Sequence, residues 1–158
     1  MDKLWAPWRI KYITAKKTRG CIFCQAKSSK KHYVIFKTKH SIAILNTFPY
    51  NNGHIMVSPL AHVRRLEHLK DAEALDLLKA LNKAKRLLEE ALKPQGFNIG
   101  INLSETAGAG ITGHIHIHIV PRWKGDTNFM PVLFNTKIIS QSLNDVYKRL
   151  KNARAETD

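Results

Sequence analysis

The chain has 158 residues, 44% of them apolar, and sets 26 Lys and Arg against 12 Asp and Glu for a formal net charge of +14. That length suits a single domain over 1–158 that buries its own core, while no window nears the ~20 consecutive apolar residues of a spanning helix and the start, MDKLWAPWRIKYITAKK, lacks the apolar run of a secretory signal. A cytoplasmic protein without a membrane partner is expected: two cysteines, Cys21 and Cys24, make no disulfide framework, and basic residues dispersed over 9–19, 27–39, 64–70 and 79–93 favour anions without forming a nucleic-acid stripe.

After an N-terminal extension over 1–20, HYVIFKT (32–38) and SIAILN (41–46) are β-branched and aromatic runs with a short polar break, which predicts a strand pair. TFPYNNG supplies Pro49, Asn51, Asn52 and Gly53 for a turn before a third strand, HIMVS (54–58). From Asp71 the period changes. Ala74, Leu77, Leu78, Leu81, Ala84, Leu88, Ala91 and Leu92 recur at steps of three and four, predicting an amphipathic helix over 71–93 that Pro94 and Gly96 end. FNIGINL (97–103) and HIHIHIV (114–120) predict two more strands around the loop SETAGAGITG, and helical spacing returns over 138–152. This order lacks the strand–helix alternation of a doubly wound parallel sheet. It predicts an α+β fold with a mostly antiparallel sheet of about five strands, the long helix on one face and a C-terminal helix.

GHIHIHIVPRW (113–123) carries the chemistry. In an extended strand alternate side chains share a face, so His114, His116 and His118 stand together opposite Ile115, Ile117 and Ile119. At ~3.3 Å per residue the outer two lie roughly 13 Å apart, too far for all three to grip one ion. A division of labour follows, with one end free for a metal and the other rings for different work. Neutral imidazole is nucleophilic near pH 7 without a separate activating base, which suits attack on phosphorus. Gly108, Gly110 and Gly113 precede the histidines and allow backbone amides to converge on an anion. No Gly-Lys-Ser/Thr follows them, so this is not a P-loop.

The run His114-Ile-His116-Ile-His118-Ile-Val resembles the signature of the histidine triad (HIT) superfamily of nucleotidyl hydrolases and transferases. The likeness extends through GCIFC, LNTFPYNNGHIMVSPLAHV, FNIGINLSETAGAG and VPRWKGDTNFMPV, and together with LWAPWR it points to the bacterial branch related to diadenosine tetraphosphate phosphorylases. The resemblance implies a HIT-like fold, with His116 as the nucleophile that forms a covalent nucleotidyl intermediate and His118 on the phosphate and leaving group. It further implies that Asn102 and the loop amides of Gly108 and Gly110 contact phosphate, that Asn46 binds ribose, and that Trp123 approaches the nucleotide. One departure stands out: relatives often carry Ser or Thr three residues before the first histidine, where this chain has Ile111, with Thr112 one position off.

Cys21 and Cys24 admit three readings: a redox pair, for which a thioredoxin-like context is lacking, two buried thiols, or two ligands of a structural zinc that needs two more donors. The resemblance implies His62 and His114 as those donors, with His32 and His40 as substitutes, whereas His54 and His68 read as structural or solvated. The expected activity is cleavage of a nucleoside polyphosphate, such as diadenosine tetraphosphate, by a homodimer without an organic cofactor. Water as acceptor makes it a hydrolase and orthophosphate a phosphorylase. The rival is a non-catalytic, zinc-stabilised nucleic-acid-binding module.

Overall fold

A computed structural model describes residues 20–28, 32–127 and 139–157, so the expected N-terminal extension lies outside the described residues apart from Gly20. In chain order the elements are α1 (Ile22–Ala26), β1 (Val34–Lys37), β2 (Ser41–Leu45), β3 (Ile55–Pro59), α2 (Asp71–Leu92), β4 (Gly96–Ile101), β5 (Ile117–Arg122) and α3 (Leu143–Thr157), with a 3-10 turn at Leu66–His68. The strands form one sheet in the order β1-β2-β3-β5-β4, and every neighbouring pair is antiparallel. The fold is α+β, as the element order in the sequence predicts.

The β-branched runs become β2 and β3, both fully buried and paired in register from Ser41↔Pro59 to Leu45↔Ile55. Gly53 makes the turn before β3 with φ +74°, and a Cβ there would lie 2.5 Å from Leu92 Cδ1, so both conformation and space require glycine. Helix α2 starts where Glu73 reaches back to the Lys70 N–H at 3.0 Å. It stops at Lys93, which is left-handed at φ 49°, just ahead of Pro94. The helix carries the chain across the sheet to the outer strand β4, which runs parallel to β3 with β5 between them. Its buried stripe is Leu77, Ala80, Ala84, Leu87, Leu88 and Leu92. Leu78, expected in the stripe, is 56% exposed, and Leu87 takes its place because the packed face is rotated slightly. Helix α3 starts later than expected, after Ser142, whose Oγ accepts the Asp145 N–H at 3.1 Å.

Strand alternation splits the apolar residues between the two faces of the sheet. Ala43, Leu45, Ile55, Val57, Ile117 and Ile119 join α2 and α3 in the main core. Ile42, Ile44 and Met56 face the other way and pack on Phe23 and Ala26 of α1. Met56 stands opposite His118, which puts that histidine on the α1 face. The two faces therefore divide the work, one holding the main core and the other the polar site.

Candidate active site and metal centre

The ladder of β5 begins at Ile117, three residues later than the histidine alternation predicts. Ahead of it the Ile115 N–H donates at 2.8 Å to Val63 O in the loop after β3, and the Ile115 carbonyl accepts at 2.8 Å from the Ser58 hydroxyl of β3, so this segment is tied to β3 by a side chain and to the loop after it, outside the backbone ladder. His118 stands on β5 between Met56 and Gly100. His114 and His116 precede the ladder, and both are buried.

Hydrogen bonds fix the proton on each ring. The His116 Nδ1 lies 2.9 Å from the His114 carbonyl, which only accepts, so Nδ1 carries the hydrogen and Nε2 keeps its lone pair. The Tyr50 backbone N–H donates to His54 Nδ1 at 3.1 Å. That nitrogen must accept, which leaves the hydrogen on His54 Nε2, and this donates to His118 Nδ1 at 2.9 Å. His118 is thereby left with an Nε2–H as its free donor. Asn46 supports the same order: its Oδ1 accepts the Phe48 N–H at 2.9 Å, and its Nδ2 faces His54 Nδ1 at 3.3 Å. The result is a lone pair on His116 and a donor on His118 in rings 4.8 Å apart.

Burial holds these rings neutral. It lowers His54 to about 3, with His118 and His116 adding repulsion. It lowers His118 to about 4, with His116 adding to the effect, and pushes His116 below the usual imidazole value against the opposing pull of the His114 carbonyl. A nucleophile that works as a free base and a donor that works through N–H both need this neutral state.

His54, read as structural or solvated, is completely buried and joined to His118. A signal for it was present. His54, Met56 and Ser58 alternate on the strand, and Met56 faces His118, so period two puts His54 beside the triad. Which strand pairs with β5 is not written in the local sequence.

The first histidine turns away from the other two. Cys21, Cys24, His62 and His114 bring one donor atom each to within 4.8 Å of one another, a group able to hold a metal ion. Cys21 Sγ lies 3.2 Å and Cys24 Sγ 3.7 Å from His114 Nδ1, and Cys24 Sγ lies 3.2 Å from His62 Nδ1. Tetrahedral Zn–S and Zn–N bonds of about 2.3 and 2.0 Å set sulfur–nitrogen separations near roughly 3.5 Å, so the donor set fits that ion. The His114 Nε2–H donates to Pro59 O at 2.9 Å, leaving Nδ1 as the ligand atom. His32 and His40 take no part in the group.

The remaining expected residues are spread around this centre. Asn102 directly follows β4, whose last residue, Ile101, pairs with Ile117. Gly108 is left-handed at φ 89°, and its N–H is taken by Glu105 O at 2.9 Å, so it shapes the loop and its amide is not free for a ligand. Gly110 is exposed in the same loop. Ile111 packs on the Phe23 cluster, and Thr112 is exposed. Trp123 lies beyond the far end of β5, roughly 16 Å along the strand from His118, and its Nε1–H donates to Lys93 O at 3.2 Å.

The family model described as HIT domain matches residues 27–125. AP-4-A phosphorylase of Mycobacterium tuberculosis is 35% identical over 161 residues, covering 95% of this chain and 83% of that protein. Asymmetrical bis(5'-nucleosyl)-tetraphosphatase of Schizosaccharomyces pombe is 37% identical over 93 residues, covering 59% of this chain and 50% of that protein. A zinc-bound histidine triad family protein from Mycobacterium smegmatis superposes with a TM-score of 0.71 at 25% identity, over 88% of this chain and 96% of that one.

Proposed function

The chain belongs to the HIT domain family, and from that premise we propose that it is an enzyme that cleaves the polyphosphate of a dinucleoside tetraphosphate through a nucleotidyl-His116 intermediate. The observation that carries this reading is the pairing of a fixed lone pair on His116 Nε2 with a fixed N–H on His118 Nε2. In the first step His116 Nε2 bonds to the α-phosphorus and the bond to the departing phosphate oxygen breaks. The His118 N–H meets that oxygen as charge builds on it, and the His114 carbonyl steadies the positive charge that the doubly substituted His116 ring acquires. Asn102 and the Gly110 amide take phosphate oxygens, Asn46 takes the ribose, and Gly108 holds the turn between them.

In the second step an acceptor oxygen attacks the same phosphorus and the N–P bond breaks, restoring neutral His116. Orthophosphate is the favoured acceptor because a relative matching 95% of the chain is a phosphorylase. Water, which would make a hydrolase, is the second reading, drawn from the tetraphosphatase that matches 59%. Diadenosine tetraphosphate and protein, with and without orthophosphate, separate the two: ADP and ATP formed only with orthophosphate is the expected result, and AMP with ATP in both tubes marks a hydrolase. Full activity in His116→Ala would remove the nucleophile.

Cys21, Cys24, His62 and His114 hold zinc in this reading. Such an ion supplies no step of the reaction; it ties α1 and the loop after β3 to the first histidine. Ligation by thiolates suits a reducing cytoplasm. The partner is a second copy of the chain, joined across β4, an edge strand on which Ile99 is 48% exposed. Antiparallel pairing about Ile99 sets the Arg122 end of one sheet against the Asn102 end of the other, and by that route Trp123 reaches a nucleotide that its own chain holds too far away.

A further inference from the structure

We propose that the Tyr50 ring is a shelf on which the departing nucleoside of a dinucleoside polyphosphate stacks, which makes Tyr50 the residue that selects substrates with a second base. The inference rests on the reading that His116 attacks an α-phosphorus. The rings run in order across the site: Phe23 is 5.0 Å from His116, His116 is 4.8 Å from His118, and His118 is 5.8 Å from Tyr50. Phe23 is fully buried, so the core closes that end of the row of rings. Tyr50 is 45% exposed on the side of His118, whose N–H meets the departing oxygen. An in-line displacement sends the leaving group away from the attacking nitrogen. In this order of rings Tyr50 is the one that follows His118, on the side where the departing oxygen meets the His118 N–H.

The shelf is held in place. One face of Tyr50 stacks on His54 with centroids 4.7 Å apart and planes 27° apart, and its backbone N–H is bonded to the same ring. Asn51 Nδ2 fastens the loop to Pro121 O at 3.1 Å and Asp126 Oδ2 at 2.7 Å, while Asn52 Nδ2 bonds Gln141 Oε1 at 2.7 Å. Tyr50 belongs to neither apolar core, so its stack on His54 accounts for one face of the ring and its exposed part has no role in either core. A fixed ring stacks a base with little loss of freedom, and stacking is tolerant of base identity because every base has a π-face.

The test compares wild type, Tyr50→Ala and Tyr50→Phe on two compounds, diadenosine tetraphosphate and adenosine 5'-tetraphosphate, which has the same phosphate chain without the second nucleoside. The readout is the ratio of kcat/KM for the first compound to that for the second. Tyr50→Ala should lower this ratio about tenfold through KM, equivalent to about 1.4 kcal/mol, and Tyr50→Phe should restore it. An unchanged ratio in Tyr50→Ala, with active wild type, overturns the shelf alone, as does a loss that Tyr50→Phe shares. Wild type inactive on both compounds overturns the nucleotidyl-transfer reading and the shelf with it.

Discussion

A histidine's usefulness depends on which nitrogen carries its proton, and here that choice is made by groups with no freedom of their own. A backbone carbonyl fixes His116, and a backbone N–H fixes His54, which fixes His118. The rings are kept neutral by burial, so their folded values of about 3 for His54 and about 4 for His118 lie well below the 6.5 of an exposed imidazole. Between those limits the unfolded chain binds more protons than the folded one, so stability rises with pH through that window. In metal-free protein, the unfolding temperature should be level above about pH 7 and should fall as pH drops from about 6.5 toward about 4. Thermal melts across that range check this, and a level melting temperature down to pH 4.5 would contradict the buried, neutral rings. The triad spacing was legible in the sequence, because period two is a local property. The tautomers were not: those of His116 and His54 depend on how the chain folds back on backbone groups two and four residues away, and that of His118 on a ring 64 residues away.

Among the elements, the two edges of the sheet are treated differently. On β1, the Tyr147 hydroxyl caps Val34 O at 3.1 Å, and Lys151 and Arg154 of α3 both donate to Ile35 O, at 3.2 and 3.1 Å. The register shift between Val34 and Phe36 turns that carbonyl to its partners. Strand β4 is the other edge and presents Ile99. Open edges invite pairing and a charge on them discourages it. Ile99→Lys should therefore convert a dimer to a monomer in sedimentation at micromolar concentration; a monomeric wild type would exclude the β4 dimer. Helix α2 and strands β2 and β3 were legible because each is long enough to show its period. Helix α1 was not, because the five residues IFCQA are too short for a helical period to show.

For the whole molecule, the metal group links segments far apart in sequence, with Cys21 and Cys24 near one end, His62 after β3 and His114 before β5. An ion bound there stabilises the folded chain by mass action, about 2.7 kcal/mol at one hundred times its dissociation constant. For a domain of this size that is roughly 5–10 °C in unfolding temperature. Elemental analysis should find one zinc per chain, a strong chelator should lower the unfolding temperature by that amount, and Cys24→Ser should remove the response to chelator. Purified protein without metal and indifferent to chelator would rule the zinc out.

Composition and periodicity determined the fold class, the long helix, the turn at Gly53 and the family signature, because amphipathic period and glycine tolerance act over a few residues of contiguous chain. The resemblance also implied, before any geometry was known, the four residues whose donor atoms meet in a group able to hold a metal ion. Strand order was decided only in three dimensions, and with it the meeting of His54 and His118 from residues 64 apart in sequence. The bond from His114 Nε2 to Pro59 O, across 55 residues, was settled at the same level. The physical reason is common to all of these: a buried polar group must find a partner, and the partner it finds depends on which segments the core has already brought side by side.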